Sequence, residues 1–221
     1  MAVPLRILIT GFGPFPGAPF NPTPALVARL AALRRPAFAD ISRVTHVFPV
    51  SYAAVDRELP QLLATHRPDA LLMFGLAART PFVRVETRAR NAVTTLWPDA
   101  EHARVRQPAI VRGADAQHFG PHTHRLLQAA AKTGLDVRPS RDAGRYLCNY
   151  LSWRGIEAAH APDGPALAAF VHVPLIARDA ASSRMTLPDL VDAGEALLRE
   201  TVRLARNTRR IGRRYQDTLV T

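Results

Sequence analysis

The chain has 221 residues, one cysteine and a formal net charge of +11 at pH 7. Its length suits one large globular domain around a single core. A single cysteine excludes an internal disulfide framework and a multi-thiolate zinc or iron–sulfur site, which favours a cytoplasmic protein. The stretch 1–12 lacks the long apolar region of a signal peptide, and no apolar run approaches the roughly 20 residues of a membrane span, so no membrane partner is expected.

The positive charge is interleaved with Asp and Glu along the chain, and its one dense cluster lies in residues 203–221. No helix-turn-helix, zinc-finger or RNP-type motif accompanies this cluster. A basic tail of this kind is usually a solvated or weakly anion-binding end. We therefore expect no dedicated nucleic-acid function, and we divide the chain into one α/β domain, residues 1–208, and a basic C-terminal tail, residues 209–221.

Strand-like and helix-like segments alternate along the chain. Short apolar segments rich in β-branched or aromatic residues predict buried strands at 6–12, 45–51, 70–77, 83–89 and 169–175. Amphipathic runs predict helices at 23–35, 53–66, 123–134 and 187–206. Thr23 is a candidate N-cap before Pro24, and Gly134 a candidate helix end. The alternation predicts a single-domain three-layer α/β/α sandwich with a mostly parallel twisted sheet.

In such sheets ligands gather beyond the carboxyl ends of the strands. The first predicted strand runs into GFGPFPGAPFNP, residues 11–22, whose spacing differs from GxGxxG and whose prolines remove amide donors that a phosphate would need. The loop instead presents Phe12, Phe15 and Phe20. These rings either plug the end of the sheet or form a pocket for a flat, uncharged ring.

The single cysteine, Cys148, follows Gly144, which suits a tight turn, and precedes the helical run LSWRGIEAA. This context predicts a place in the first helical turn, where the helix dipole and free amides would lower the thiol pKa and supply oxyanion donors. His172, at the end of the strand in FVHVP, is a candidate base, and Glu86, in VRVETRA, could orient its imidazole. Each residue alone is more often structural, but their common place at strand or helix ends favours a shared site.

Four segments match the motifs of one family in that family's order. LITGFGPFPGAPFNPT resembles LLTGFxPFGGxxxNPS, GLAARTPFVRVETRARN resembles GxAGGRxxIxxERxAxN, AGRYLCNYL resembles AGTxVCN, and FVHVP resembles FIHxP. The family is that of pyroglutamyl peptidase I, or pyrrolidone-carboxylate peptidase, a group of cysteine peptidases. The resemblance implies a thiol peptidase that removes N-terminal pyroglutamate from small peptides and needs no metal or organic cofactor.

The resemblance also implies roles for individual residues. It makes Cys148 the nucleophile, His172 the base and Glu86 the carboxylate that orients the imidazole, with a thioester acyl-enzyme as the intermediate. The pocket for the pyroglutamyl ring falls on Phe12 and Phe15, and the backbone near Leu76 and Leu147 is implied as the partner of the ring amide. Relatives are commonly tetramers, so a homo-oligomer is expected.

The chain departs from the family pattern near these residues. Where the pattern reads GGR, the chain has Ala78, Arg79 and Thr80, and the pattern ERxAxN becomes ETRARN, with additional charge at Arg88 and Arg90. The glycine-rich turn and its arginine are thus altered or shifted by one residue. These changes leave the triad intact and bear on substrate preference and catalytic efficiency.

Two other functions remain open from the residues alone. A nucleoside-phosphorylase-type enzyme could share the architecture but would need convergent phosphate ligands, which are not identifiable beyond scattered arginines. A non-catalytic binding protein on the same scaffold would carry an inert Cys148. Residues 97–120 have little periodicity and are expected to form an excursion over the site or at a subunit contact.

Overall fold

The computed structural model describes residues 4–15, 17–179 and 182–219, with side chains as far as residue 211. Its strands are β1 (Leu5–Phe12), β2 (Ile41–Phe48), β3 (Ala70–Leu76), β4 (Val83–Glu86), β5 (Arg88–Arg90), β6 (Ala116–His118), β7 (Val137–Ser140) and β8 (Leu167–Val173). Its helices are α1 (Thr23–Ala32), α2 (Tyr52–His66), α3 (His122–Ala131), α4 (Leu147–His160) and α5 (Leu187–Leu219), with a short 3-10 turn at Pro36–Phe38.

The main sheet has six strands in the order β2-β1-β3-β8-β4-β7. All neighbouring pairs are parallel except β8 and β4, which run antiparallel. The predicted mostly parallel α/β sheet is therefore confirmed. The strand predicted over 83–89 divides into β4 and the start of β5, which pairs with β6 in a separate two-stranded sheet. Neither β6 nor the edge strand β7 was predicted, because such short strands carry too little alternation to be recognised.

Helices cover both faces of the sheet, as the three-layer prediction requires. On β1, Ile7 and Ile9 face a core cluster that includes apolar residues of α1, α3 and α5. Leu8 faces the opposite cluster, which includes apolar residues of α2 and α4. Successive side chains of a strand point to opposite faces, so an uninterrupted apolar strand supplies both cores at once.

Two helix ends differ from the sequence prediction. The N-cap of α1 is Pro22, and Thr23 is already the first helical residue, so the predicted capping role of Thr23 is wrong. Its hydroxyl instead accepts a hydrogen bond from the Phe12 N–H at 3.1 Å, tying the helix start to the end of β1. Helix α3 ends at Ala131, before the predicted end, and Gly134 adopts φ +84° in the turn that follows.

Helix α5 continues beyond its predicted end at residue 206 into the start of the predicted basic tail. Within that part Arg209 donates to Asp69 Oδ2 at 2.6 Å, which anchors the helix beside β3. Residues 220 and 221 and the side chains from 212 onward lie outside the described residues, and the boundary at residue 208 stays a prediction. None of the described helices has the length and apolar character needed to cross a bilayer.

Candidate active site

A cleft of about 430 Å³ opens at the carboxyl ends of β1, β3 and β8. The residues predicted for the site line this cleft, with the exception of Glu86, which lies behind His172: Phe12, Phe15, Leu76, Leu147, Cys148 and His172. The structure thus brings together side chains that lie far apart in the sequence. Because parallel strands end at one edge of a sheet, residues at those ends meet there.

His172 and Glu86 form a buried pair across the antiparallel strands β8 and β4. The imidazole Nδ1 lies 2.7 Å from Glu86 Oε1, and the two residues are 3% and 0% exposed. Because Nδ1–H donates to the carboxylate, Nε2 is the ring nitrogen available to a group in the cleft. Burial lowers the pKa of His172, and the hydrogen bond that its Nδ1–H donates to Glu86 raises it by less. The imidazole is therefore neutral at neutral pH and able to accept a proton.

Arg84 touches this pair and was not identified from the sequence. Its Nη2 lies 3.2 Å from His172 Nδ1, and its Nε lies 3.5 Å from Glu86 Oε1. Its positive charge opposes protonation of the imidazole and adds to the lowering of the His172 pKa. The signal was present in the alternation of β4, since Arg84 precedes Glu86 by two residues and so points to the same face of the sheet.

Cys148 is the second residue of α4, so the prediction that it occupies a first helical turn is confirmed. Gly144, at φ +84°, makes the turn that leads into the helix. Desolvation by the surrounding groups raises the pKa of the thiol to about 12, and the charge of Glu86 adds to this. Arg84 and a hydrogen bond from the backbone of Leu76 act in the opposite direction but are weaker. The expected lowering of this pKa is therefore wrong, because burial outweighs the two groups that favour the thiolate.

The aromatic side chains of the loop after β1 divide between the cleft and the surface. Phe12 is 3% exposed at the end of β1, and Phe15 is half-buried with its ring centroid 6.0 Å from that of Tyr146. Phe20 is 56% exposed and lies under the guanidinium of Arg178, 3.7 Å from the ring centroid. The loop therefore contributes two rings to the cleft and holds the third outside it.

Two segments reach the edge of the cleft: the turn 78–80, which differs from the family motif, and the irregular segment 97–120. In the turn after β3, the Thr80 N–H donates to the Ala77 carbonyl at 3.1 Å, and the exposed Arg79 lines the cleft. Trp97, from the segment 97–120, also lines it and is 61% exposed. The mouth of the cleft is thus formed by residues that vary from the family motif and by the irregular segment.

A sequence model of the pyroglutamyl peptidase family matches residues 5–202 of the chain. The chain belongs to this family. Among similar proteins, the pyrrolidone-carboxylate peptidase of Halalkalibacterium halodurans is 33% identical over 199 residues, which cover 86% of this chain and 94% of that protein. The protein of the same name from Thermococcus onnurineus is 28% identical over 203 residues, covering 90% and 100% of the two chains.

Solved structures of the same name share the fold. The pyrrolidone carboxyl peptidase of Thermococcus litoralis superposes with a TM-score of 0.83 at 23% identity, covering 92% of this chain and 96% of that one. A mutant of the Pyrococcus furiosus protein gives a TM-score of 0.79 at 24% identity, covering 90% and 99%. The resemblance drawn from the four sequence motifs is therefore confirmed, together with the assignment of the chain to a family of peptidases.

In this member of the pyroglutamyl peptidase family, two asparagine side chains form hydrogen bonds with backbone segments around the cleft. Asn149, directly after the cysteine, is fully buried, donates to the carbonyls of Arg90 and Ala92 at 2.8 and 2.9 Å, and accepts from the Arg90 N–H at 2.8 Å. Asn91 Oδ1 accepts from the amides of residues 110 and 111 at 2.7 and 2.9 Å. Asn149 thus connects the start of α4 to β5, and Asn91 anchors the irregular segment.

Gly75 is a further residue of the site that sequence reasoning did not identify. A Cβ at this position would lie 2.7 Å from Cys148 Sγ and 2.7 Å from the ring of Phe170. Gly75 is also the direct register neighbour of His172 across β3 and β8. A glycine inside an otherwise buried strand often marks such a close approach, and this was the available signal.

We expect Gly75→Ala to displace the thiol and to lower both activity and the rate of thiol alkylation, at a cost in stability of roughly 1–3 kcal/mol from overpacking. Gly155→Ala is the matched control, because its Cβ would meet the flexible end of Met73 at 2.5 Å and not the thiol. Denaturant unfolding and alkylation kinetics of both variants test this. Equal alkylation rates in the two variants would contradict a role for Gly75 in seating the thiol.

Proposed function

We propose that the protein is a cysteine peptidase that removes N-terminal pyroglutamate from small peptides, with Cys148 as nucleophile, His172 as base and Glu86 as orienting carboxylate. The observation that carries this proposal is the buried pair of His172 and Glu86, 2.7 Å apart, in the wall of the cleft that Cys148 also lines. A nucleophile, a base and a group that holds the base are the components of covalent acyl transfer.

Burial disfavours both the thiolate of Cys148 and the imidazolium of His172, so the resting site holds a neutral thiol and a neutral imidazole. As the sulfur of Cys148 attacks the carbonyl carbon after the pyroglutamyl ring, its proton passes to His172 Nε2. The C–N bond then breaks, and the imidazolium returns the proton to the leaving amine. Water next loses a proton to Nε2 while its oxygen attacks the thioester carbon. The C–S bond then breaks to release pyroglutamate, and the imidazolium returns its proton to the sulfur of Cys148, which restores the neutral pair.

The start of α4 suits the oxyanion formed in both steps. The helix has no side-chain hydrogen bond at its N-cap, Tyr146, so its first amides are available to an oxyanion on the substrate. Donors of this kind stabilise negative charge in the transition state more than in the ground state, which is the condition for lowering the barrier.

Pyroglutamate carries a lactam in place of the ammonium group that ordinary aminopeptidases recognise. The deep end of the cleft is apolar, with Phe12 and Leu147 only 3% and 1% exposed, and it suits a neutral five-membered ring. We propose that Phe12 and Phe15 contact the two faces of this ring, and that backbone groups near Leu76 and Leu147 bind its amide.

A pyroglutamyl amide of a chromophoric amine tests the proposed function directly. We expect the free amine to be released, and release to stop after treatment with a thiol alkylator, because the chain has one cysteine. A prolyl amide of the same amine serves as the matched substrate without the lactam carbonyl. No release from the pyroglutamyl amide by folded, reduced protein would overturn the proposal.

Phe15→Ala is expected to raise KM for the pyroglutamyl amide with a smaller change in kcat, by an amount equivalent to about 1–3 kcal/mol of lost apolar contact. Phe20→Ala is the control, since Phe20 is 56% exposed and lies outside the cleft. Glutaminyl and glutamyl amides should be rejected, because their ammonium would lose its hydration against aromatic walls. Cleavage of these unblocked amides as fast as the pyroglutamyl amide would contradict the assigned specificity.

We further propose a cytoplasmic location and a homo-oligomeric assembly, such as the tetramer that the family resemblance implies. A thiol nucleophile is retained in a reducing compartment, which supports the location and is tested by cell fractionation. The adjacent side chains of Leu96 and Trp97, 72% and 61% exposed, support a subunit contact. Light scattering that gives a monomer mass at micromolar concentration would contradict the assembly.

A further inference from the structure

The mouth of the cleft carries positive charge that the proposed chemistry does not use. Arg79 and Arg145 both line the cleft and are exposed. Neither guanidinium has an ion-pair or hydrogen-bond partner among the side chains that the structure describes. Arg84, a third arginine of the lining, is already engaged by Glu86 and His172.

Negative charge in the described lining does not neutralise these two arginines. The one carboxylate there is that of Asp142, whose Oδ2 accepts from Arg90 Nη2 at 2.8 Å and whose Oδ1 accepts from the Gly144 N–H at 2.9 Å. Asp142 is thus paired outside the cleft. The exposed rim retains a net positive charge, which attracts anionic ligands.

The cleft therefore changes character from its deep end to its mouth. The deep end, with Phe12 and Leu147, is apolar and uncharged, whereas the mouth carries Arg79 and Arg145. Under the proposed function, on which this step rests, the pyroglutamyl ring occupies the deep end and the residues after the scissile bond extend toward the mouth. Arg145 stands at the threonine of AGTxVCN, so its charge is absent from the family motif, whereas Arg79 stands at the second glycine of GGR, one residue before the arginine of that motif.

We infer that this enzyme prefers pyroglutamyl peptides with a carboxylate within one or two residues after pyroglutamate, bound by Arg79 and Arg145. The carboxylate has two sources, the side chain of an acidic residue or the free C-terminus of a dipeptide. A guanidinium binds a carboxylate through paired N–H donors, and it does so most effectively when it has no competing partner.

Two substrate pairs separate the sources and isolate the charge. Pyroglutamyl-glutamic acid α-amide, with a free side-chain carboxylate, and pyroglutamyl-glutamine α-amide differ only in an acidic side chain, and pyroglutamyl-alanine and its amide differ only in the terminal carboxylate. We expect kcat/KM to be about twofold to fivefold higher for the acidic member of at least one pair at low salt, the range typical of exposed charge pairs. The preference should vanish near 1 M salt, where the screening length is about 3 Å.

Substitutions test whether the carboxylate preference depends on Arg79 and Arg145. The double substitution Arg79→Gln and Arg145→Gln should bring the ratio to about one. Arg34→Gln is the matched control, because Arg34 is exposed and follows α1 at the opposite edge of the sheet, and it should leave the ratio unchanged. A ratio near one in the unaltered enzyme at low salt, or a ratio that survives the double substitution, would overturn the inference.

Failure of the inferred carboxylate preference and failure of the proposed peptidase function give different results. If the neutral amides are cleaved but the ratios equal one, the peptidase assignment stands and the carboxylate site is wrong. If no pyroglutamyl substrate is cleaved, calorimetric binding of the same two pairs to the unaltered protein and to the double variant still measures the charge preference. Equal binding of the acidic and neutral members would then overturn the inference by itself.

Discussion

Replacing Cys148 with serine is expected to lower kcat/KM for a pyroglutamyl amide by about 10³-fold or more, the scale of losing an activated nucleophile. Serine keeps the volume of the side chain, but its hydroxyl is a weaker nucleophile than a thiol and its proton is harder to remove. The buried imidazole beside it is a neutral base whose pKa is already lowered, so it cannot compensate. The substituted atom lies in the lining of a cleft, so the free energy of unfolding should change little.

Steady-state kinetics and denaturant unfolding of the pure variant test this expectation. Cys148 is the only cysteine in the sequence, so alkylation of the unaltered protein must give a single adduct by mass spectrometry and the variant must give none. Ser152→Ala is a suitable control, because this hydroxyl lies one turn further along α4 and donates to the Cys148 carbonyl at 2.8 Å without acting as a nucleophile. Activity retained in Cys148→Ser and insensitive to alkylation would remove the cysteine peptidase mechanism.

His172→Ala is expected to lower the rate by roughly 10²–10⁴-fold, the usual contribution of a general acid–base group. The same change leaves the buried carboxylate of Glu86 without its hydrogen-bond partner, which destabilises the fold. His172→Gln separates the two effects, because an amide still donates to the carboxylate but cannot accept a proton at neutral pH. Loss of activity in both variants, with near-normal stability in His172→Gln, supports the role of base. Full activity in His172→Gln would contradict it.

Glu86→Gln should reduce the rate less than His172→Ala, because an amide oxygen still accepts from Nδ1–H and holds the ring. The pH profile provides a second measurement. Burial places the His172 pKa below its usual value of about 6.5, so the acidic limb of kcat/KM should lie below that pH. Glu86 raises this pKa and Arg84 lowers it. Glu86→Gln should therefore move the limb to lower pH and Arg84→Gln to higher pH. Shifts of the two variants in the same direction would contradict this electrostatic account.

The site residues that could be predicted from the sequence are those whose place in a strand or helix is evident from their sequence neighbours. The apolar run 169–175 places its histidine two residues before Pro174, and Gly144 with the helical run 151–159 brackets Cys148, so each candidate could be placed at the end of an element from its own neighbours. Family motifs then supplied the roles, which local pattern could not assign. Asn149 and Asn91 stand in the quoted family motifs, but they act through backbone groups up to 59 residues away, and no local pattern gives those contacts.

The sequence by itself determined the alternation of strands and helices, the α/β class and the candidate nucleophile at a helix start, because these depend on residue periodicity and turn chemistry within short segments. Only the tertiary structure decided what surrounds the thiol. The antiparallel register of β4 against β8 brings Arg84 to His172, 88 residues away, and the packing of β3 against α4 places Gly75 under the sulfur. A helix start lowers a thiol pKa locally, whereas desolvation is the sum over every neighbouring element, and here that sum raises the pKa.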